Sequence, residues 1–526
     1  MKKRIVATLV AAMMACTCLF TACGNTTPNT NGSKESESKG EVVGSGEEET
    51  VQLSVWAFGN TSDLWGDPGE TSYWQTIQEK CNVELTFLDN SGGSEAMSLL
   101  IGTDDLPDII IDYNGTFPGG VQKMLADELI IPLNDLMDQG YMPNLVAYLE
   151  TDPIVNQVVK NDAGLYAWAP MIREDGATQV FNGHHIRKDW LDALGLEVPD
   201  SLEEMEEVLL AFKENYDSVG YSTYKDGYTR ELIIQAFGIR DGMYVDTRDN
   251  TVHYGPLEEG YKEAMELFQR WQDLGIIDPD SFTQDSNAIM AKAASDKTGF
   301  FFGWGSFGTL EKLKEEHPGM EWIAGPHPTA VEGEEYIVNR GGGYRVDELG
   351  GAIAASCKYP ERAARVLDYL YSEEGYILGN FGVEGITYEL VDGKYEMTDF
   401  VTNNPDGLTN QEALSLYAGN GNKPYVVSKY ANQPTVEATR YAYEVWATPN
   451  DVIKNMPPES LTDAETKEYS SIMTDINTYK DEMIMKFMLG TEPIENYPKF
   501  IENLKGMDIE RAIEIKQAEY DRFLAR

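Results

Sequence analysis

The sequence predicts an α/β fold, and three observations carry that expectation. An early stretch runs strand, helix, strand: Leu53 to Trp56 is a short apolar run, Tyr73-Trp74-Gln75-Thr76-Ile77 opens a helix, and Val83-Glu84-Leu85-Thr86-Phe87 alternates with period two. Pro107-Asp108-Ile109-Ile110-Ile111-Asp112-Tyr113 is then a continuous apolar run with polar residues at its exit, the pattern of a strand buried on both faces of a parallel sheet. Finally, 526 residues with 42% hydrophobic and 11% aromatic content can bury a large core in more than one folding unit.

At the N-terminus, Lys2, Lys3 and Arg4 precede an apolar run from Ile5 to Phe20 and then Thr21-Ala22-Cys23. This is the layout of a secretion signal over residues 1–22, with an apolar run shorter than the ~20 residues of a comfortable membrane span. Leu19-Phe20-Thr21-Ala22-Cys23 resembles a bacterial lipoprotein signal, in which a cysteine after small residues is lipidated and becomes the new N-terminus. Lipid is therefore expected on Cys23; Phe20 departs from the pattern, which usually has a smaller aliphatic residue there. The competing reading is an ordinary signal peptide with a stray cysteine. Gly24 to Thr50 is Ser, Thr, Asn, Gly and Glu without an aromatic residue, a composition that cannot bury enough surface to fold and that reads as a flexible tether over 23–50. The folded domain is expected over 51–526.

Within that domain the later helices are marked by their caps and spacing. Ser201 and Glu204 form a capping box ahead of Leu202, Met205, Leu209 and Phe212. Tyr261, Ala264, Phe268 and Trp271 repeat the helical spacing, and Leu274-Gly275 supplies a stop. Ala363, Val366, Leu367, Leu370 and Tyr371 follow Pro360, and Ile472, Ile476, Tyr479 and Met483 make another amphipathic face, so the C-terminal region is expected to be mostly helical.

Charge and motifs exclude several functions. With 88 acidic against 41 basic residues, the formal net charge of −47 repels phosphate backbones, and nucleic acid is not an expected partner. Cys16, Cys18 and Cys23 lie in the signal region, so Cys81 and Cys357 alone remain for the folded part. Two distant cysteines define neither a disulfide framework nor a zinc site; two buried thiols are expected, with a single disulfide as the alternative. The sequence has no GxSxG elbow, P-loop or HExxH, and His184, His185, His253, His317 and His327 form no partner cluster. An enzyme is not expected. A glycoside hydrolase would need two carboxylates about 5–10 Å apart across a cleft, and so acidic a chain supplies such pairs anywhere.

An ordered series of motifs resembles the family-1 extracellular solute-binding proteins, in particular the large lipoprotein branch associated with complex-sugar importers of Gram-positive bacteria. It comprises Gly102 to Asp112, Ile131-Pro132-Leu133-Asn134, Gly164 to Trp168, Ile186 to Leu191 with Leu194-Gly195-Leu196, Leu274 to Pro279, Pro360 to Ala363 with Leu367 to Leu370, Ser372 to Gly375, Glu384 to Tyr388 and Met507 to Arg511. The resemblance implies a two-lobed periplasmic-binding-protein-like fold of type II, which closes on its ligand about a hinge. By analogy, lobe 1 would combine 51–166 with 325–391, and lobe 2 would combine 175–320 with 395–526. It further implies a monomer held by its lipid on the extracellular face of the cell membrane, an oligosaccharide ligand, and the transmembrane permease subunits of an ABC importer as partners. Many relatives carry a calcium-loop-like insertion where this chain reads Glu214-Asn215-Tyr216-Asp217-Ser218-Val219-Gly220; the alternating Asp/Asn spacing is missing, and neither calcium nor any cofactor is expected.

Sugars present apolar C–H faces and a rim of hydroxyls, so their sites need flat aromatic rings and polar side chains together. Trp304, between glycines at the end of the Phe300-Phe301-Phe302 run, is the first candidate; similar family members have a cleft aromatic here, and core packing is the alternative. Trp56, Asn60 and Tyr113-Asn114 follow strands whose carboxyl ends ligands favour; Trp56 suits core packing equally well. Trp168 falls where the analogy puts the first crossing between lobes. Arg340 and Tyr344, in Asn339 to Tyr344, suit a second crossing, with a plain loop as the alternative, and Arg340 would bind a carboxylate if the ligand were a uronic-acid sugar. Trp446 is a candidate from the second lobe, whereas Arg187, Asp189 and Trp190 read as structural. A peptide-binding lipoprotein and a structural or adhesion lipoprotein are the competing classes.

Overall fold

The computed structural model describes residues 49–526 apart from 59–65, 118, 175–179, 181, 225–227, 305–309, 311–312, 315–316, 339–342, 420–422, 429–436, 448–451 and 459. Asn60, Arg340 and Cys23 lie outside the described residues. Along the chain the strands are β1 (Val51–Ala57), β2 (Val83–Phe87), β3 (Ile109–Tyr113), β4 (Ala169–Arg173) and β5 (Asn182–Arg187). Next come β6 (Tyr221–Ser222), β7 (Met243–Asp246), β8 (Thr251–Tyr254), β9 (Phe300–Trp304) and β10 (Trp322–Gly325). Last are β11 (Val346–Ile353), β12 (Tyr388–Val391), β13 (Lys394–Met397), β14 (Val426–Val427) and β15 (Ile453–Asn455).

The first sheet has the order β14-β4-β11-β3-β1-β2. Its β1 is parallel to β2 and β3, β14 is parallel to β4, and only β11 runs against its neighbours. The apolar run at Ile109 is explained by burial on both faces. Ile109 and Ile111 join Leu53, Val55, Ile77, Val366 and Leu367 on one side, while Ile110 joins Trp56, Met97, Phe117 and Ala352 on the other.

The second sheet, β10-β5-β9-β6, has its own core built on Phe300, Phe301, Phe302, Tyr221, Phe212 and Trp271. A third, antiparallel sheet, β15-β7-β8, lies with the C-terminal helices Asp463–Met488, Tyr497–Gly506 and Ile509–Ala525. The hairpin β12–β13 turns through Asp392 (φ 50°) and Gly393 (φ 77°), the two left-handed residues that a two-residue hairpin loop requires.

Several sequence signals are explained by their contacts. The helix Glu259–Leu274 ends on Gly275 at φ 63°, a left-handed cap. Ser201 caps the helix Leu202–Tyr216 by accepting from the Glu204 N–H at 3.4 Å, but the Glu204 carboxylate accepts from the N–H of Asp200 at 3.0 Å. Complete capping boxes occur instead at Thr409–Glu412 and Thr462–Glu465. Cys81 and Cys357 are free and buried, and burial pushes both thiols up to about 12.

Candidate functional site

Because β1, β3, β4 and β14 all run the same way, their carboxyl ends form one edge of the first sheet. The chain leaves this sheet for the second after β4, returns from β10 to β11, and leaves again after β14. Ligands of α/β proteins favour such an edge.

Phe58, just past β1, is pinned by its N–H to the carbonyl of Ile111 at 2.8 Å. Tyr113 ends β3, and the two partly buried rings meet edge to face with centroids 4.8 Å apart. Beneath them Asp112 is buried and accepts from Trp56 Nε1 at 2.6 Å, the Tyr113 N–H at 2.7 Å and Thr116 Oγ at 3.1 Å. Lys423, also buried, donates from Nζ to the Phe58 carbonyl at 2.8 Å. Burial holds its ammonium down at about 7, against the pull of Asp112.

Charged groups stand beside the rings. Arg173, the last residue of β4, pairs with Asp347 at 2.8 Å. Burial and then Asp347 raise the Tyr113 hydroxyl above its ordinary value, while Arg173 opposes them. Glu348 is exposed, yet desolvation beneath the surrounding chain, and next Asp347, raise its carboxyl. Arg345 ties two crossing segments together by donating to the carbonyls of Glu174 at 2.7 Å and Arg173 at 3.2 Å, and it pairs with Asp152.

The opposing wall comes from the helix Glu437–Trp446, which packs on β10 and β5. Trp446 is 0% exposed and donates from Nε1 to the Gly325 carbonyl at 3.2 Å. Its ring occupies the space that a side chain on Gly183 would need, only 2.2 Å from the position of a Cβ there. One turn earlier, Tyr443 is partly buried; burial raises its hydroxyl and Arg173 opposes the shift.

Of the residues expected from sequence, Tyr113 lies in this arrangement. Trp304 ends β9 opposite Asn182, at the carboxyl edge of the second sheet; its side chain lies outside the described residues. Three expectations are corrected. Trp56 is 0% exposed, because its indole N–H serves Asp112. Trp446 is core for the reasons just given. Tyr344 packs edge-on against Phe523 of the C-terminal helix, its hydroxyl raised by burial, and belongs to that contact instead. Trp168 is 8% exposed, its ring lodged over Gly350 and edge-on to Phe117, so it forms floor and not platform.

Sequence reasoning missed Arg173, Asp347, Glu348 and Tyr443. Arg173 had a usable signal, a cation closing the apolar run Pro170-Met171-Ile172. Asp347 had none, since its partner lies 174 residues away. Away from this edge, Asp246, Asp249 and His253 are grouped as metal ligands would be. Arg248 holds Asp246, Thr251 bonds both Asp249 and His253, and Glu258 bonds the other nitrogen of His253.

Two sheets with separate cores, joined by crossing segments with aromatic and charged groups where they meet, define a binding protein of the periplasmic type. Residues 67–377 match the bacterial extracellular solute-binding proteins, and the chain belongs to that family. The fructooligosaccharide ABC transporter substrate-binding protein FusA of Streptococcus pneumoniae is 25% identical over 87% of this chain and 88% of its own. The polygalacturonan/rhamnogalacturonan-binding protein YtcQ of Bacillus subtilis is 23% identical over 92% of this chain and 93% of its own. Among solved structures, the alginate-binding protein AlgQ2 shares the fold with a TM-score of 0.72 at 23% identity, over 90% of this chain and 98% of its own. By name, these relatives are binding proteins. No helix among the described residues is long and apolar enough to cross a membrane.

Proposed function

We propose that this chain is the substrate-binding component of an ABC importer, anchored by a lipid on Cys23 at the extracellular face of the membrane. It captures an oligosaccharide, closes about its crossing segments and delivers the sugar unaltered to a membrane permease. The observation carrying this reading is the edge-to-face pair of Phe58 and Tyr113 beside the Arg173–Asp347 ion pair, at the strand ends where the chain crosses between the two sheets. The rings offer faces for sugar C–H groups, and the charged pair can both donate to and accept from hydroxyls. Trp304 and Trp168 remain part of the proposed cleft, the first at its facing edge and the second at its floor.

The chemistry required is binding alone. Sugar bridging Tyr113 and Tyr443 touches both sheets at once, so it favours the closed arrangement by its extra contacts there. FusA and YtcQ, by name, both bind sugars, which favours glycan over peptide. A thermal-shift screen of the purified protein against oligosaccharides and short peptides tests the reading, since a ligand of the native state raises the melting temperature. A saturable rise with one glycan series is expected; a rise with peptides alone would contradict it.

A further inference from the structure

The helix Ile509–Ala525 touches the bodies of both large sheets. Its first turns belong with the second: Ile509 and Ala512 lie in that core, and the Gln517 side chain accepts from the Val252 N–H of β8 at 2.8 Å. Its far end reaches the segment Asp152 to Asp162, which belongs with the first, since Val155 and Val159 pack with Leu145 and Leu149 in the first sheet's core. There Asp162 accepts from Arg522 Nε at 2.7 Å, and from Arg526 Nε at 2.8 Å and Nη2 at 2.6 Å. Arg526 also donates to the Lys160 carbonyl at 2.5 Å, and Gln157 donates to the Phe523 carbonyl at 2.8 Å. Beside these bonds, Val158 meets Tyr520 and Phe523 of the helix and Val245 and Val252 of the third sheet in a small core of its own. Tyr344, on the return from β10 to β11, packs against that core.

An exposed ion pair alone is worth little. This carboxylate, however, is shared by two guanidiniums, one of them only 6% exposed, and Arg522 is itself held by both oxygens of Glu465 at 2.9 Å. The link joins positions 360 residues apart in the chain. It is a non-covalent connection in addition to the three crossings, and none of its groups belongs to the cluster of Phe58, Tyr113 and Arg173. The apparent affinity of a protein that closes on its ligand falls with the fraction of molecules in the competent arrangement, and ordering a looser pair of bodies costs more. We propose that Asp162 is a positioning residue for capture. By holding Arg522 and Arg526 it fastens the C-terminal helix to the first sheet's body, and so limits the positions the two bodies take relative to each other before ligand arrives. This rests on the oligosaccharide-capturing function proposed above.

The test combines small-angle X-ray scattering with calorimetric titration, on the purified protein and its Asp162→Ala and Asp162→Glu variants. The probes are fructo-, xylo- and gluco-oligosaccharides and oligogalacturonate, taking whichever raises the melting temperature. Ligand-free Asp162→Ala should show a broader distribution of interatomic distances than the unaltered protein, and should bind glycan at least ~threefold more weakly. With glycan bound the two should scatter alike, and Asp162→Glu should restore both readouts. Thr462→Ala, which loses a capping bond but keeps every Asp162 pair, should change neither, so that lost stability alone is not mistaken for a lost link. If Asp162→Ala does not fold, Arg522→Gln removes one of the donors and should move both readouts in the same direction. Ligand-free scattering unchanged in a folded variant would overturn the link, and broader scattering with unchanged affinity would overturn its role in capture. If no glycan binds the unaltered protein, the proposed function falls, while the ligand-free scattering still decides whether Asp162 holds the two bodies.

Discussion

Phe58 and Tyr113 meet edge to face at a strand end, where neither ring is fully buried, and this makes them the sharpest residue-level test of the site. Tyr113→Ala should weaken glycan binding by about 1–2 kcal/mol, on the order of tenfold, with little change in melting temperature. Trp56→Phe should do the reverse: it strips the buried Asp112 of a donor, which costs about 1–3 kcal/mol in urea unfolding and leaves affinity nearly unchanged. Lys423 adds a pH dependence. Its folded value of about 7 lies below the ~10.4 of an unfolded lysine, so between these values the unfolded chain binds the extra proton. Stability therefore rises with pH across that window on account of this group, and Lys423→Met should flatten the rise measured by urea unfolding at pH 7 and pH 9.5. At this scale the sequence was legible where a polar residue closes an apolar strand, as at Tyr113. It was ambiguous for tryptophan, because Trp56 and Trp446 have the composition of a sugar platform and the hydrogen bonds of a core.

Single elements carry the geometry between residues. The helix Glu437–Trp446, which carries Tyr443, is seated by Trp446 against Gly183 of β5. Gly183→Ala should displace that indole, destabilise the protein by about 1–3 kcal/mol and weaken glycan binding together. Thr462→Ala, far from the site, removes one bond of a complete capping box and should cost about 1 kcal/mol in urea unfolding with no change in affinity. Elements with strong periodicity or caps could be read in advance: β1, β2 and β3, and the helices at Leu202, Glu259, Pro360 and Asp463. β14 could not, since Val426–Val427 is two residues long and becomes a strand only by pairing with Ile172 and Arg173 of distant β4. The Ser201 capping box was half right, because Glu204 found the N–H of Asp200 first.

For the whole molecule, the arrangement of two separately cored sheets joined by three crossings explains why the site was harder to read than the fold. The fold follows from local patterns repeated along the chain, whereas the proposed site draws Phe58, Tyr113, Arg173, Asp347 and Tyr443 from separate passes between sheets. Only a shared strand direction brings their ends together. The net charge of −47 belongs to this scale too: it keeps polyanions away from the surface as a whole. Closure should be visible as a fall in the radius of gyration by small-angle X-ray scattering when glycan is added, and Arg345, which clamps two of the crossings, should influence it. The most direct test of the central claim is titration of the protein and of Tyr443→Ala with a glycan that raises its melting temperature, followed by recovery of the glycan. Saturable binding of unaltered glycan, weakened by about tenfold or more in the variant, is the predicted result. Unchanged affinity in Tyr443→Ala, or recovery of cleaved glycan, would contradict capture between the two sheets.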